Sequence, residues 1–307
     1  MKIAILTSGG DAPGMNAVIV NLIHDAFSSH HEVFLIDDGY EGLLDNKFSL
    51  VKNTTQYDEY LNNAGSFIYC SRSPRFINEY HLGLDNLSQH SIDYLIVIGG
   101  NGSYKGTQLL ATGIKTIFIP ASIDNDVDFS SYSIGFASAT QEIVQQSRKL
   151  ISTFKTHKNI IFLEVMGRYC PDLAIAASNI IHPALTLTRK NKLSISDVVQ
   201  QLTNYYQKHQ FALVIVSEYV YSQDETNQII SMTQQSIGCQ ARWNVLGYVQ
   251  RGADVCQQDI NAAKQMAQLA INQINQGNSN AAIYYDNDGQ IKASPYNQLN
   301  VNGREIK

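Results

Sequence analysis

Three glycine-bearing stretches carry the residues best suited to chemistry. They are LTSGGDAPGMN at 6–16, GGNGSYKG at 99–106 and PASIDND at 120–126, each behind an apolar, β-like run. In an open α/β sheet ligands bind beyond the carboxyl ends of the strands, so glycines, small hydroxyls and paired carboxylates gathered there read as a phosphoryl-transfer site. Transfer to an alcohol needs a carboxylate that accepts the hydroxyl proton, and positive charge or metal to hold the migrating group. Asp124 and Asp126 can divide those duties, one toward the acceptor hydroxyl and one toward a metal or a structural contact, with Ser122 beside a sugar or phosphoryl oxygens. The structural alternative is an Asx turn in which both side chains cap backbone amides.

In GGNGSYKG, Gly99 and Gly100 permit unusual backbone angles, Gly102 and Ser103 can present N–H donors, and Asn101 offers a carbonyl oxygen. Four glycines in eight residues behind a fully apolar strand are hard to ascribe to packing. In SGGDAPGMN a helix beginning at or just after Pro13 would turn its free N–H groups toward a phosphate. Gly9 and Gly10 can equally well make only a tight strand-to-helix turn, since the stretch matches neither GxxxxGK[ST] nor GxGxxG. The net charge of −5, without a basic block, argues against nucleic acid or an anionic membrane as the main partner. Anionic ligands must then be met by a few local cations. Arg72, Arg168, Arg242 and Arg251 stand in glycine-bearing or strand-end contexts, although solvated surface charge accounts for most arginines.

A chain of 307 residues with 44% hydrophobic content can bury one large core or two smaller ones, and two is the expectation. Strand-like runs at 2–7, 32–37, 93–99, 116–120, 159–167, 184–188 and 211–218 alternate with helical periodicity at 14–27, 102–113, 170–181, 194–207 and 224–237. This is the βαβ signature of a parallel sheet flanked by helices. A long helix over about 135–156 is expected to connect two lobes. NVLGYVQRG at 244–252 continues the series, followed by an amphipathic helix over 259–277 and a short strand, AAIYY. The segments 40–80 and after 286 read as loops. Four dispersed cysteines without a CxxC pair or a signal-peptide pattern lead to the expectation of a reduced, cytoplasmic protein with ordinary thiols. No apolar run has the length a bilayer demands, so solubility is expected.

Taken together, LTSGGDAPGMNA, DDGYEGL, VIGGNGSYKG, SIDND, LEVMGRYC and VLGYVQRG, in this order and at these intervals, resemble the 6-phosphofructokinases of the bacterial ATP-dependent type. The likeness runs from residue 3 to about 277. It implies an α/β fold of two Rossmann-like three-layer lobes with mainly parallel sheets and the site between them. An ATP-binding lobe would comprise 1–135 plus 253–290, and a fructose 6-phosphate-binding lobe 136–252 plus 291–307. The implied reaction is the ATP-dependent, glycolytic phosphorylation of fructose 6-phosphate at its 1-hydroxyl, usually in a homotetramer, with a homodimer as the other assembly.

By the same resemblance Asp124 is the base, and Arg168 and Ser122 face the transferring phosphoryl group. Gly10, Arg72, Ser73, Gly100, Asn101, Gly102, Ser103 and Gly106 would hold ATP, with Tyr40 near the nucleotide. Ile123, Asn159, Met166, Gly167, Glu218, Tyr248 and Arg251 would join Ser122, Asp124 and Arg168 around the sugar phosphate, with Arg242 reaching in from a neighbouring subunit. Magnesium would fall to Asn101 and Asp126. Gly102, where pyrophosphate-using relatives carry Asp, and Ala121, where they carry Lys, favour ATP.

Several positions depart from the family pattern. GGDGS becomes GGNGS, so Asn101 stands for the magnesium-associated Asp. Asn159 replaces a cation supplied across the subunit interface, Tyr248 a histidine and Ser73 a phenylalanine. Losing one charged hydrogen bond costs about 1.5–3 kcal/mol, roughly ten- to a hundredfold in affinity or rate. Lys158 adjoins Asn159 and could substitute for the lost cation by a small backbone shift, although strand alternation would normally aim it elsewhere. Positions that the resemblance implies to be basic, in an effector site for nucleoside diphosphate or phosphoenolpyruvate, are here Val20, His24 and Ile151, so little or no response to those effectors is expected. Three readings follow: a working 6-phosphofructokinase with reduced affinity, a non-catalytic paralogue that binds phosphosugar or nucleotide, and a lipid or NAD kinase. The third leaves MGR and VLGYVQRG without a purpose.

Overall fold

A computed structural model describes residues 1–299, so the expectation for 300–307 lies outside the described residues. The chain divides into two units, one of residues 1–138 with the described residues from 251 onward, the other of residues 139–250. The first comprises β1 (Lys2–Ser8), α1 (Met15–Ser28), β2 (Glu32–Ile36), α2 (Gly39–Leu44), β3 (Phe48–Leu50), α3 (Phe76–Gln89), β4 (Tyr94–Gly99), α4 (Asn101–Leu110) and β5 (Lys115–Pro120). The long helix α5 (Phe136–Thr156) leads into β6 (Ile160–Val165), α6 (Asp172–Ile181), β7 (Leu185–Leu187), α7 (Ile195–His209), β8 (Ala212–Ser217), α8 (Gln223–Ile237) and β9 (Ala241–Val245). The chain then rejoins the first unit through α9 (Gln257–Asn275), β10 (Ala281–Tyr285) and β11 (Ile291–Pro295).

The first sheet has the order β11-β10-β5-β4-β1-β2-β3, parallel except for its two edge strands. Every residue of β4, YLIVIG, is buried, as a parallel strand covered on both faces requires. Helix α1 buries Met15, Val18, Ile19, Leu22, Ile23 and Ala26, the 3–4 spacing of one helical face, and packs against α9. The chain leaves β1 toward β2 on one side and later returns to β4 on the other. That makes the β1–β4 junction a topological switch point, where ligands bind in such sheets. The second sheet, β7-β8-β6-β9, is wholly parallel, and Trp243 stacks on Phe162 at 5.1 Å in its core.

Several expectations need correction. Residues 291–295 pair antiparallel with β10, which puts them in the first unit instead of the second. The unit boundaries fall after Ser138 and after Gln250, a few residues from those read in the sequence. The strand before VLGYVQRG occupies Ala241–Val245, and Gly247–Gln250 is a short 3-10 turn at its end. The stretch read as loop holds α2 and β3, and α3 follows, its Phe76, Tyr80, Leu84 and Leu87 repeating at helical spacing. The four cysteines are free, and no helix among the described residues is long and apolar enough to cross a membrane.

Candidate active site

Parallel pairing brings the three glycine-bearing stretches of the first unit together. Ser8 lies beside Gly99 and Gly99 beside Pro120, so the loops after β1, β4 and β5 leave the sheet side by side. A Cβ on Gly99 would stand 2.4 Å from the Ser103 hydroxyl and 2.6 Å from the Ser8 carbonyl oxygen, so only glycine admits this approach. Ser103 Oγ donates to that Ser8 oxygen at 2.9 Å. Helix α4 starts here with Gly100 as its N-cap, and its first internal bond is Tyr104 N–H to the Gly100 carbonyl at 3.0 Å. The N–H groups of Asn101, Gly102 and Ser103 meet no acceptor among the described residues, which leaves them to an anion at the positive end of the helix. The start of α1, the other expected phosphate cradle, is differently built. Met15 N–H goes to the Ala12 oxygen at 3.3 Å and Asn16 N–H to the Gly65 oxygen at 3.2 Å, so its amides serve the chain itself.

Beyond β5 burial alternates. Ala121, Ile123, Asn125 and Val127 are buried, while Ser122, Asp124, Asp126 and Asp128 are partly exposed. The residue that ties this loop is Asn125, in a left-handed conformation with φ +53°. Its amide nitrogen donates to the Ser131 oxygen at 3.3 Å and its oxygen accepts from Ser133 N–H at 2.9 Å. Asp124 N–H donates to Ser122 Oγ at 3.3 Å. Ile123 is only 2% exposed and fills the core, so it is not placed to touch a substrate through its side chain.

Asn101 does not fit the expected role of a magnesium ligand. Its nitrogen donates to the Asp126 carbonyl at 2.7 Å and its oxygen accepts from Asp128 N–H at 3.3 Å, which laces the α4 loop to the carboxylate loop. No group of three His, Cys, Asp or Glu side chains able to hold a metal exists among the described residues.

Tyr40 and Gly106 pack together. Tyr40 is buried, stacks on Phe76 at 4.0 Å and donates from its hydroxyl to the Ser103 oxygen at 2.6 Å. Burial pushes its phenol well above the usual range. A Cβ on Gly106 would lie 2.7 Å from the Tyr40 ring, so these two residues pack against each other beneath the α4 loop. Arg72 is exposed, and the Ser73 carbonyl accepts the Phe76 N–H at 3.2 Å as α3 begins. Arg251 belongs to the first unit, where its guanidinium covers Gly10 so closely that a Cβ there would lie 2.0 Å from Nη1. Nη1 also donates to the Asp11 carbonyl and carboxylate oxygens, each at 3.4 Å. Arg251 is thus a neighbour of the β1 loop, in a different unit from Met166, Arg168 and Glu218.

In the second unit Met166, Gly167 and Arg168 follow β6, Glu218 follows β8 and Tyr248 lies just past β9, all at the carboxyl ends of the strands. Glu218 Oε1 accepts from Arg168 N–H at 2.5 Å, and buried Gln250 accepts from Met166 N–H at 3.1 Å. Arg168, with φ +56°, is exposed, and its guanidinium and that of Arg189 both approach the ring of Tyr169, at 5.9 and 4.3 Å. Asn159 and Arg242 sit at the opposite edge, immediately before β6 and beside Ile161. The strand between the two edges spans about 16 Å at its usual rise, so one small ligand cannot touch both groups within a chain.

Sequence reasoning missed Asn125, Gln250 and Asp259. Fully buried Asp259 accepts from Gly135 N–H at 2.8 Å, Ser138 N–H at 2.9 Å and the hydroxyls of Ser138 and Tyr132. The one local signal is its place in the first turn of α9, where a carboxylate complements the helix dipole.

The fold is that of an α/β protein whose candidate site loops gather at the carboxyl ends of two largely parallel sheets. A family model described as phosphofructokinase matches residues 2–274, and this chain belongs to that family. It is 35% identical over 299 residues to the ATP-dependent 6-phosphofructokinase of Buchnera aphidicola subsp. Schizaphis graminum, covering 94% of this chain and 91% of that one. It is 32% identical over 311 residues to the ATP-dependent 6-phosphofructokinase of Haemophilus influenzae, covering 100% and 96%. The fold matches the solved phosphofructokinase of Saccharomyces cerevisiae with a TM-score of 0.87 and 23% identity over 96% of this chain. This chain spans 44% of that yeast chain.

Proposed function

We propose that this chain phosphorylates fructose 6-phosphate at its 1-hydroxyl with ATP. The single observation that carries the reading is the register of Ser8, Gly99 and Pro120, which gathers the 101–103 amides, Ser122 and Asp124 at one sheet edge. In the reaction Asp124 accepts the hydroxyl proton, the freed oxygen attacks the γ-phosphorus, and the bond to the β-γ bridging oxygen breaks to release ADP. The 101–103 amides hold nucleotide phosphate, and Arg168 offsets charge on the migrating group. Because Asn101 is occupied by backbone, no step is assigned to a magnesium ion on it.

The choice of ATP over pyrophosphate is supported by Gly102, where an added Cβ would meet open space, so the glycine answers to no packing need. Weakened substrate affinity is part of the reading, since Asn159 carries no charge. So is silence toward nucleoside diphosphate and phosphoenolpyruvate. Val20 is buried, and the His24 ring is engaged by Asp58 at 2.6 Å. A homotetramer or homodimer is supported by Asn159 and Arg242, which stand where only a neighbouring copy's ligand would need them. A cytoplasmic location rests on the free thiols.

The test is release of ADP with formation of fructose 1,6-bisphosphate from ATP, magnesium and fructose 6-phosphate, beside Asp124→Ala. Turnover abolished in the variant supports the reading. Ligand binding without turnover in either protein supports a non-catalytic subunit instead, the reading favoured by the occupied Asn101.

A further inference from the structure

Asp259, in the first turn of α9, directs most of its hydrogen bonding onto the segment that leads from the carboxylate loop into α5. Its Oδ1 accepts from Gly135 N–H at 2.8 Å and from the Tyr132 hydroxyl; its Oδ2 accepts from Ser138 N–H at 2.9 Å, from Ser138 Oγ at 2.5 Å and from the Cys256 thiol at 3.6 Å. No lysine, arginine or histidine pairs with it among the described residues. Its charge, fully buried, is met by these donors and by the positive ends of α5 and α9. Burial, and then the Asp259 charge, push the Tyr132 phenol well above the usual range, which keeps it a donor.

The segment held in this way is the wall on which the carboxylate loop hangs. Ile134 N–H donates to the Pro120 oxygen at 3.2 Å and its carbonyl accepts from Ser122 N–H at 3.0 Å, one bond on each side of Ala121. The ties from Asn125 to residues 131 and 133 join the same wall. Its surroundings are tight. A Cβ on Gly135, whose φ is +102°, would lie 2.7 Å from Ala12 Cβ, and one on Gly14 would lie 2.8 Å from Ile134 Cγ2. The donors from Tyr132 and Gly135 bracket Ile134, so Asp259 fixes the stretch from which Ser122 and Asp124 are suspended, all within the first unit.

We propose that Asp259 is a positioning residue for phosphoryl transfer, holding Ser122 and Asp124 in place through Ile134 without itself touching substrate. The inference rests on the reading of Asp124 as the base and deepens it. A displacement of about 1 Å at reacting groups costs on the order of a hundredfold in rate, so loss of a remote anchor is felt in kcat before it is felt in binding.

The experiment uses the full chain and compares wild type, Asp259→Asn, Tyr132→Phe and Ile274→Ala. It records the denaturation midpoint, kcat and both KM values, and amide hydrogen exchange of residues 120–126 relative to that of β4. Asparagine keeps the volume of Asp259 but sets an amide nitrogen against donors that need an acceptor. Ile274, buried about 22 Å further along α9, takes packing from the same helix without reaching the 132–138 segment. Asp259→Asn is expected to lower kcat about thirtyfold, to leave both KM values within a few-fold and to raise the exchange ratio about tenfold. Tyr132→Phe deletes one donor and should show the same pattern at about a few-fold in kcat, which carries the test if Asp259→Asn does not fold. Ile274→Ala should lower the midpoint and leave kcat and the exchange ratio near wild type. The proposal is overturned by a kcat within about twofold of wild type in Asp259→Asn, by equal losses of kcat in Asp259→Asn and Ile274→Ala, or, where only Tyr132→Phe folds, by wild-type kcat and exchange in that variant. If no form of the protein turns over, a raised exchange ratio in Asp259→Asn keeps the anchor and leaves the catalytic reading as the part that fails, whereas an unchanged ratio sinks both.

Discussion

Where β1, β4 and β5 end, side chains are spent on backbone: Asn101 on residues 126 and 128, Asn125 on 131 and 133, Ser103 on Ser8 and Tyr40 on Ser103. Where β6, β8 and β9 end, Glu218 and Gln250 do such work among the described residues, while Arg168, Tyr219 and Tyr248 stand exposed. The first edge is a fixed shape that offers amide donors and a carboxylate. The second offers long side chains whose positions a ligand must complete. Fixed dipoles need no reorganisation as charge develops, so under the proposed function the first edge serves the chemical step and the second, Arg168 apart, serves recognition.

This contrast can be broken or sharpened by substitution. Asn125→Ala removes the ties of the carboxylate loop to residues 131 and 133 and should cost about 3 kcal/mol, read as a lower denaturation midpoint with loss of turnover. Asn101→Asp keeps an acceptor for Asp128 N–H but sets a carboxylate against the Asp126 carbonyl. A cost of about 2 kcal/mol should raise the ATP KM roughly thirtyfold, whereas tighter nucleotide binding would show that a metal position outweighs the lacing. Glu218→Gln weakens the bond to Arg168 N–H and should raise the sugar-phosphate KM about tenfold with the ATP KM held; equal effects on both would erase the distinction between the edges. Tyr40→Phe loses one hydroxyl bond beneath the α4 loop and should cost about 1 kcal/mol, a few-fold in ATP KM. A loss of a hundredfold there would place Tyr40 against the nucleotide after all.

Strand order and loop chemistry were largely legible because buried parallel strands are continuous apolar runs, as in YLIVIG, and glycines mark close approaches such as that of Gly99 to Ser103. The partners of polar side chains were not. An Asn reads alike as metal ligand, cap or brace, and only the path of the chain put Asn101 against residues 126 and 128. The packing of Tyr40 was illegible for the same reason, since its neighbours Phe76 and Gly106 come from distant segments. Helix α3 was within reach, its spacing plain once the segment is tested for a period of 3.6.

The central claim is that Asp124, on the braced edge, removes the acceptor proton. The most direct measurement is kcat of Asp124→Asn with ATP and fructose 6-phosphate, because asparagine keeps the volume and loses the base. We expect kcat to fall on the order of a thousandfold with the ATP KM within a few-fold of wild type. A kcat within about tenfold of wild type would contradict the account, since a missing general base removes more than that.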